Sequence, residues 1–520
     1  MKECRRLVGW TVSLAALLTV HPSNRLTAQT AQTIDTIIID NGNVFHGNAE
    51  GAPQFVAKLA NALHMRTRQW VIRRRLLLDK GDKLDAARLE ETERALRGLG
   101  VFRFVRVDTL RLPRGSHGAG GPDDPLAVEV VTADGWSTQP QASYTRSAGD
   151  VAWGVGFIER NFLGTATELD LNYDKNPDRS RFDFGFANPY FIARRARAML
   201  HYSHLSDGRA GGWDLGLPFY ETVAPYSLET YGEAARQRVL RYADGVLQDS
   251  AVHHVFRMGL SGGIATHATT RDYIHLIATA EWRRENIDSF YAGPVPYSTF
   301  TTLWAGVAIG RVRFRVLEQF NSYSRREDVD LSPTLNVSAV FESGVGYEAS
   351  GQMAAIWKGG FARFRVEGNG LDSTRIRGGV TVVSQNLRRH TFIGHFEVGS
   401  LYRPKIGSEF NLWVEQRGPR LYGIHDFTGT RMAWLVLEDR ILVAEEVAGL
   451  MGIGLAPFLD YGGAWYGTDS RLRGDVGLSL RFGPTRAVRG EAGEIAFGYR
   501  FGEGVPGKRW AFTLRKGIAF

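Results

Sequence analysis

Apolar and polar side chains alternate with a period of two from Gly135 almost to the last residue, Phe520. The segment ATELDLNYD, for example, sets Leu169, Leu171 and Tyr173 against acidic or amide residues. Successive side chains of a strand point to opposite faces, so this pattern predicts strands with one apolar and one polar face. Such a series is typical of either a soluble sandwich or barrel with an apolar core, or a transmembrane barrel with its apolar face outward.

Length and charge favour the membrane barrel. Roughly 385 residues of alternation exceed what one sandwich contains. Arg195 and Arg197 lie on the polar parity, and an arginine facing lipid at mid-membrane costs about 2–4 kcal/mol, so both should face a wet lumen. We therefore expect a mainly β protein whose residues 137–520 form a transmembrane antiparallel β-barrel. At about 24 residues per strand and turn it has about 16 strands, whereas a direct count of candidates gives sixteen to twenty because 330–390 is ambiguous.

The last twelve residues, RWAFTLRKGIAF, read as the closing strand of that barrel. One parity is apolar and is interrupted by Lys516. We expect this face to contact lipid, with the terminal phenylalanine in an aromatic belt, and the strand to meet the first strand, about Gln141 to Ala148, at a seam. The predicted seam residues are Tyr144, Trp510, Phe512, Leu514, Ile518 and Phe520.

Residues 33–134 follow a different pattern, in the order strand, helix, helix, strand, strand. TIDTIIID predicts the first strand, and Asp85 is placed to cap the second helix. Phe55, Leu59 and Leu63, spaced four apart, predict a short additional helix to which the sequence assigns no role. This region is therefore expected to form a small α/β domain.

The N-terminus is typical of a cleaved secretory signal peptide, residues 1–28, with a basic start and a short apolar stretch. An N-terminal anchor helix is the alternative. Cys4 is the only cysteine, so we expect no disulfide, no cysteine-based zinc site, no metal and no cofactor. The net charge is +8, and the cluster of arginines at 66–75 indicates a solvated helix face or a face near anionic lipid head groups, not nucleic-acid binding.

Four stretches carry a family resemblance: VIRRRLLLDKGDKLDAARLEETERALRGLGVFRFVRV, GVGFIERNFLGTATELDLNYD, FANPYF and FLDYGGAWYG. In this order and spacing they resemble the BamA/TamA superfamily of outer-membrane assembly and secretion proteins, the bacterial surface antigen family. The resemblance implies that residues 33–134 are a single POTRA-like domain in the periplasm. It implies a barrel in the bacterial outer membrane that contacts lipid and carries out protein insertion or protein transport.

The resemblance also identifies a lumenal loop, here RLYGIHDFTGTR. Where the family has an arginine at the tip, this chain has Tyr422, followed by Gly423. Arg420 lies two residues earlier, and the resemblance implies that it replaces the family's arginine and pairs with Asp460, the acid of the Phe-x-Asp-x-Gly strand. The alternative is that Asp460 only faces lumen water.

Several functions remain open from the sequence. The resemblance implies that an unfolded outer-membrane or secreted client adds a strand at the seam, delivered by the POTRA-like domain with or without an accessory periplasmic protein. The alternative is a dedicated secretion pore for one exported partner. A lipid esterase using Ser261 of GLSGG fits less well, because the G-x-S-x-G motif requires a strand-turn-helix and this stretch reads as a strand. We therefore predict a protein that is not an enzyme.

Overall fold

The structure is a computed structural model. It describes residues 32–45, 51–112, 124–147, 150–243, 245–289, 296–323, 326–405, 407–413, 417–489 and 492–516. The predicted signal peptide, residues 1–28, lies outside this description, as do Ile518, Phe520 and the side chain of Lys516.

The N-terminal unit is a three-stranded mixed sheet with helices packed on it. The sheet order is β1-β3-β2, with β1 parallel and β2 antiparallel to the central β3. Its elements are β1 Thr36–Gly42, α1 Gln54–Leu63, α2 Gln69–Arg75, α3 Ala86–Gly98, β2 Phe102–Arg111 and β3 Leu126–Asp134. Within the described ranges, no helix combines the length and apolar character needed to cross a bilayer. The assignment of this unit as POTRA-like stays a prediction.

Local sequence explains how this unit folds and where it sits. Asp85 caps α3 by accepting a hydrogen bond from Ala87 N at 2.8 Å, as its position before the helix predicts. The apolar faces of α2, α3 and the sheet close over one core, which also includes Ala166 and Tyr190 from two turns of the following domain. The N-terminal unit is therefore packed directly against one end of that domain.

That domain is a closed antiparallel barrel of 20 strands among the described residues, so the prediction of about 16 strands is wrong. Many strands are joined by tight turns, such as the two residues between Leu205 and Gly208, and each strand with its turn therefore uses fewer residues than the 24 assumed. The first ten barrel strands are β4 Thr138–Ser147, β5 Asp150–Phe162, β6 Thr167–Lys175, β7 Ser180–Asn188, β8 Arg197–Leu205, β9 Gly208–Leu217, β10 Tyr226–Ala243, β11 Val246–Ala268, β12 Asp272–Ser289 and β13 Ser298–Arg311.

The second half of the chain completes the barrel and adds two short hairpins. Hairpin β14–β15 comprises Phe314–Glu318 and Arg326–Asp330, and the pair β21–β22 comprises Phe410–Asn411 and Thr428–Gly429. The remaining barrel strands are β16 Thr334–Phe341, β17 Val345–Trp357, β18 Gly360–Gly370, β19 Thr374–Ser384, β20 His390–Tyr402, β23 Arg431–Val447, β24 Met451–Trp465, β25 Arg473–Pro484, β26 Gly493–Gly502 and β27 Trp510–Lys516.

The outer face of the barrel is apolar and exposed, while the inner face buries charge. Leu171, Phe182 and Phe184 are each 37–41% exposed on the outside. Asp460 and Glu494, whose side chains point into the barrel, are fully buried. A closed barrel with this distribution has its apolar face solvated by lipid and its polar face inside, as a membrane barrel requires.

The two rims of the barrel differ. We call the rim next to the N-terminal unit the proximal rim and the other the distal rim. Because the number of strands is even, β4 begins and β27 ends at the proximal rim. Arg197 pairs with Asp214 and Glu229 of the neighbouring strands, whereas Arg195 lies just before β8 in a proximal loop and pairs with Glu221.

Candidate functional site: the seam and the lumenal loop

The barrel closes where β27 meets β4, at a seam with a very short register. Thr513 is the partner of Thr145, and Leu514 is the partner of Tyr144. The two threonine hydroxyl oxygens are 3.0 Å apart, and the rings of Tyr144 and Phe512 stack with centroids 6.1 Å apart. Side-chain contacts thus supplement a backbone ladder that is almost absent.

The ladder stops although both strands continue. Arg515 does not pair with Ser143, and Phe512 does not pair with Arg146, although all four residues lie within the strands. On their other sides, β4 pairs with β5 and β27 pairs with β26 along their whole lengths. Beyond the two pairs Thr145–Thr513 and Tyr144–Leu514, no ladder pairing therefore joins β4 to β27 among the described residues.

The segment before β4 is attached to another part of the proximal rim. Trp136 forms a parallel bridge with Ala487 in the turn between β25 and β26. Trp136 N donates to Arg486 O at 2.6 Å, and Val488 N donates to Trp136 O at 3.0 Å. The start of β4 is thus held by a proximal turn two strands away.

The predicted C-terminal residues lie where the pattern places them as far as the structure describes them. Trp510 and Phe512 are 60% and 50% exposed on the outer face, and Trp510 stacks on Phe497 of β26. Leu514 is half-buried next to Tyr144 at the seam.

The lumenal loop, residues 403–430 between β20 and β23, folds into the barrel, and its tip carries a buried arginine. Arg420 Nε donates to Asp460 Oδ2 at 2.7 Å and Arg420 Nη2 donates to Oδ1 at 3.0 Å, which is a bidentate pair. Arg420 Nη2 also lies 2.9 Å from Glu438 Oε2, and Nη1 lies 3.5 Å from Glu494 Oε2. The guanidinium packs over the ring of Phe458 at 3.9 Å. The structure thus brings Arg420 and Asp460 together, away from water.

Further arginines balance the same acids. Arg440 Nε and Arg481 Nη1 lie 2.6 and 2.8 Å from Glu438 Oε1. Arg515 Nε, on the last strand, lies 2.7 Å from Glu494 Oε1. One loop residue is therefore connected to β23, β24 and β26 directly and to the seam strand β27 through Glu494.

Tyr422 has a different role from Arg420. Its hydroxyl oxygen lies 3.1 and 3.2 Å from the backbone carbonyl oxygens of Gly474 and Phe501, which share its single hydrogen, and not on Asp460. Leu421 N donates to Asp475 Oδ2 at 2.8 Å. Gly423 N donates to the side chain of Asp426 at 2.6 Å and turns the chain after the tip. The tip is thus bonded to β25 and β26 through backbone groups.

The far side of the loop contacts the opposite wall. His425 Nε2 lies 3.0 Å from Asp178 Oδ1 in the turn between β6 and β7, and its ring stacks on Tyr242. Thr428 Oγ1 donates to Tyr242 O at 2.8 Å. Burial alone would raise the pKa of Asp178, but hydrogen bonds from His425 and Tyr242 lower it below its usual value. The loop therefore crosses the lumen and joins both walls near the distal rim.

Hairpin β14–β15, which the sequence did not predict as a separate element, lies inside the proximal mouth. Its apolar side chains pack on the inner faces of β18, β19 and β20. On β23, next to β20, Arg440 Nη1 donates to Phe320 O at 2.6 Å. Arg97 of α3 forms a bidentate pair with Asp328, Nε to Oδ2 at 2.7 Å and Nη2 to Oδ1 at 2.8 Å. We call residues 312–333 the mouth hairpin; it links the N-terminal unit to the inside of the barrel.

Polar cavities lie inside the barrel and at its proximal mouth. One of about 930 Å³ lies in the lumen and is lined by residues such as Glu397 and Arg417. The other, of about 860 Å³, lies between the N-terminal unit and the mouth hairpin. Arg363 and Arg365 line both cavities.

The chemistry considered for Ser261 is not supported by its surroundings. Ser261 lies in the middle of β11, and its Oγ is 2.9 Å from Thr279 Oγ1 on β12. A nucleophile elbow needs a strand-turn-helix, and this stretch is continuous strand. Nor do the described residues include a cluster of histidine and acidic side chains placed to hold a metal.

Glu438 and Glu494 are the functional residues that sequence reasoning missed. Both lie on the polar parity of their strands, which is the only signal they give. Many lumenal acids share that signal, so the pattern alone does not single out the two that meet Arg420.

No protein-family model matches the sequence. Among solved structures, the chain is similar to BamA from Haemophilus ducreyi lacking POTRA domains 1–3, with a TM-score of 0.38 and 11% identity over 94% of this chain and 84% of that one. It is similar to CdiB from Acinetobacter baumannii, TM-score 0.43 and 11% identity, over 93% and 73% of the chains. CdiB from Escherichia coli gives 0.39 and 11% over 96% and 93%.

Proposed function

We propose that this chain is a bacterial outer-membrane barrel that assists the insertion of outer-membrane proteins, or the translocation of a client, by pairing a client strand at the seam. The role involves no covalent chemistry. The observation that carries the proposal is the two-pair register between β27 and β4 in the part of the seam that the structure describes. Strand edges without ladder partners recruit other strands, because main-chain hydrogen bonds supply the affinity.

The arginine and acid cluster explains how one side of the seam is kept in place. Arg420, Glu494 and Arg515 connect the loop tip to β27. Among the described residues, the ladder from β4 to β27 has two pairs, and the start of β4 is held by Trp136 at the β25–β26 turn. We therefore infer that β23–β27 act as a fixed wall while β4 separates from it.

The proposed orientation of the barrel in the membrane rests on where its first strand begins and its last strand ends. Both ends of the barrel lie at the proximal rim, and we infer that the N-terminal unit is a POTRA-like domain in the periplasm. Its outer strands β1 and β2 each pair only with β3 among the described residues. A client segment can add to such an edge before it reaches the seam.

The test uses a disulfide across the seam. The only native cysteine is Cys4, in the predicted signal peptide, so engineered pairs can be placed cleanly. The double variant Thr145→Cys, Thr513→Cys joins β4 to β27, where the native hydroxyls are 3.0 Å apart. The control Ala496→Cys, Thr513→Cys uses the same residue of β27 and joins it to β26 instead.

Both variants are reconstituted into liposomes, and the folding rate of an unfolded barrel client is measured before and after reduction. We expect the oxidised seam lock to reduce the rate to that of empty liposomes, and reduction to restore it. The oxidised β26–β27 lock should fold the client as fast as the unmodified protein. Equal rates in both oxidised variants would rule out the seam as the site of pairing.

A dedicated secretion pore is the second candidate, and the polar lumenal cavity favours it. A client that passes through the lumen does not need β4 to leave β27. The oxidised seam lock would then leave export of the partner unchanged. Fixing the mouth hairpin in its position in the proximal mouth would stop export.

A further inference from the structure

Helix α1 has no role in the fold of the N-terminal sheet, and its inner side is docked on the barrel. Ala57 and Ala60 are buried in a small cluster with Phe45 and with Leu450 of the β23–β24 turn. The Asn61 side chain donates to Phe45 O at 3.0 Å and accepts from Phe45 N at 3.1 Å. The start of α1 is therefore fixed to the proximal rim.

The chain after α1 is fixed to the same rim further round. Asn161 Nδ2, at the end of β5, donates to Met65 O at 3.2 Å. Arg68 N donates to Gly164 O at 2.9 Å in the β5–β6 turn. The strands between these two attachments are β24, β25, β26, β27, β4 and β5. Helix α1 thus lies beneath the arc of the rim that contains the seam.

The outer side of α1 is apolar and uncovered. Phe55, Leu59 and Leu63 are 72%, 56% and 68% exposed, and Met65 just beyond the helix is 54% exposed. Residues at i, i+4 and i+8 share one helix face, so these side chains form one stripe. An apolar stripe on a helix of this size marks a surface that is covered by a partner or a membrane.

Both attachments of α1 lie next to exposed apolar side chains of the barrel's outer face. At the start of the stripe, Val447 and Met451 at the proximal ends of β23 and β24 are exposed on the outer face. At its end, Phe162 and Leu163 are 44% and 45% exposed at the β5–β6 turn. The apolar side chains of α1 therefore extend the barrel's membrane band below the seam.

The charge around the stripe fits an anionic lipid surface. Residues 51–65 contain no aspartate or glutamate. Lys58 is exposed beside the stripe, and Arg66 and Arg68 are exposed directly after it. An apolar helix face bordered by basic residues is the pattern of helices that lie in the membrane interface.

We propose that α1 lies in the periplasmic leaflet of the outer membrane, directly below the seam, with Phe55, Leu59 and Leu63 among the lipid acyl chains. This rests on the proposed orientation of the barrel but not on client pairing. The helix would occupy the lipid next to the opening through which a strand leaves the barrel.

The test is a fluorescent label at Leu59→Cys in the full-length barrel, reconstituted into vesicles of phosphatidylethanolamine and phosphatidylglycerol. Lipids brominated in their acyl chains quench a label that lies in the leaflet, and aqueous iodide quenches one in water. The matched control is Thr109→Cys, an exposed position on β2 of the same unit. Leu63→Cys is the second variant if the first disturbs folding.

We expect several-fold stronger quenching by brominated lipid at Leu59 than at Thr109, and the reverse for iodide. The result should be the same in the oxidised seam lock, which separates this proposal from client pairing. Iodide quenching at Leu59 equal to that at Thr109 would overturn the proposal. Protection of Leu59 that depends on protein concentration or on an added protein would also overturn it, in favour of a second copy or another partner.

Discussion

Arg420 and Asp460 form a two-point ion pair in the interior of the barrel, with Nε–Oδ2 at 2.7 Å and Nη2–Oδ1 at 3.0 Å. Both side chains are sealed from water. Glu438 and Glu494 lie against the same guanidinium, so one cation on a loop neutralises acids from three strands. Loss of Arg420 removes the buried partner of Asp460, whereas Glu438 and Glu494 keep their other arginines.

Replacing Arg420 should therefore destabilise the barrel strongly. We expect Arg420→Ala to lower the free energy of unfolding by about 3–5 kcal/mol, because three buried carboxylates lose their common partner. The measurement is the urea concentration at which the refolded barrel loses its compact migration in SDS gels. The control is Arg311→Ala, which removes an exposed pair with Asp272 and should change stability by less than about 1 kcal/mol. Equal effects of the two variants would show that the Arg420 cluster is not a stabilising element.

Tyr422 should contribute less than Arg420 despite standing where the related family has its arginine. Tyr422→Phe keeps the ring and removes the hydroxyl hydrogen that two backbone carbonyls share. A neutral hydrogen bond contributes about 1 kcal/mol, so we expect a loss of about 1 kcal/mol in the same urea experiment. A loss as large as that of Arg420→Ala would mean that Tyr422, and not Arg420, holds the loop tip.

The barrel and its C-terminal strand could be predicted because they depend on a period of two, which the sequence displays directly. Trp510 and Phe512 face outward for that reason, and Asp85 caps α3 because a cap needs only a local side chain. The number of strands was missed because it depends on turn lengths, and two-residue turns leave little trace in the alternation. The N-terminal unit's docking on Tyr190 is a contact between distant parts of the chain, which no local pattern encodes.

The mouth hairpin and the full partner set of Arg420 were missed for a related reason. Strand β14, with the sequence FRVLE, alternates like the barrel strands around it, although it pairs only with β15 inside the mouth. The sequence resemblance pointed to Asp460, but Glu438 and Glu494 look like any other acid of the polar face. Which acids meet one guanidinium is decided by how the loop crosses the lumen.

The mouth hairpin should restrict the passage of ions. Asp328→Asn weakens its bidentate pair with Arg97, and we expect more frequent or larger openings in planar-bilayer recordings. Burial alone would lower the pKa of Arg97, but its hydrogen bonds to Asp328 and the nearby acids raise it, so Arg97 keeps its charge at neutral pH. The control Asp272→Asn breaks an exposed pair at the same rim and should leave conductance unchanged. Unchanged conductance in Asp328→Asn would mean that Arg97 does not hold the hairpin in the mouth.

Docking of the N-terminal unit on the barrel should weaken at alkaline pH because of Tyr190. Its side chain is 5% exposed, and its hydroxyl has no hydrogen-bond partner among the described residues. Burial raises the pKa of Tyr190 to about 12, although nearby arginines such as Arg75 oppose the shift. An exposed tyrosine titrates near 10, so the neutral phenol is favoured in the docked state. The stabilising contribution of Tyr190 to docking is complete below about pH 10. It is lost as the pH rises toward 12, and the equilibrium constant for docking then falls by up to about a hundredfold.

Energy transfer between dyes on Thr109→Cys in the N-terminal unit and Asp469→Cys at the distal rim would report detachment. We expect the transfer efficiency to fall between pH 10 and 12 in the native background and to stay higher in Tyr190→Phe, which cannot ionise. Tyr220→Phe, in the neighbouring proximal loop, should behave like the native protein. If Tyr190→Phe loses transfer over the same pH range as the native protein, ionisation of the Tyr190 phenol does not cause the detachment. Other groups then control the pH dependence of docking.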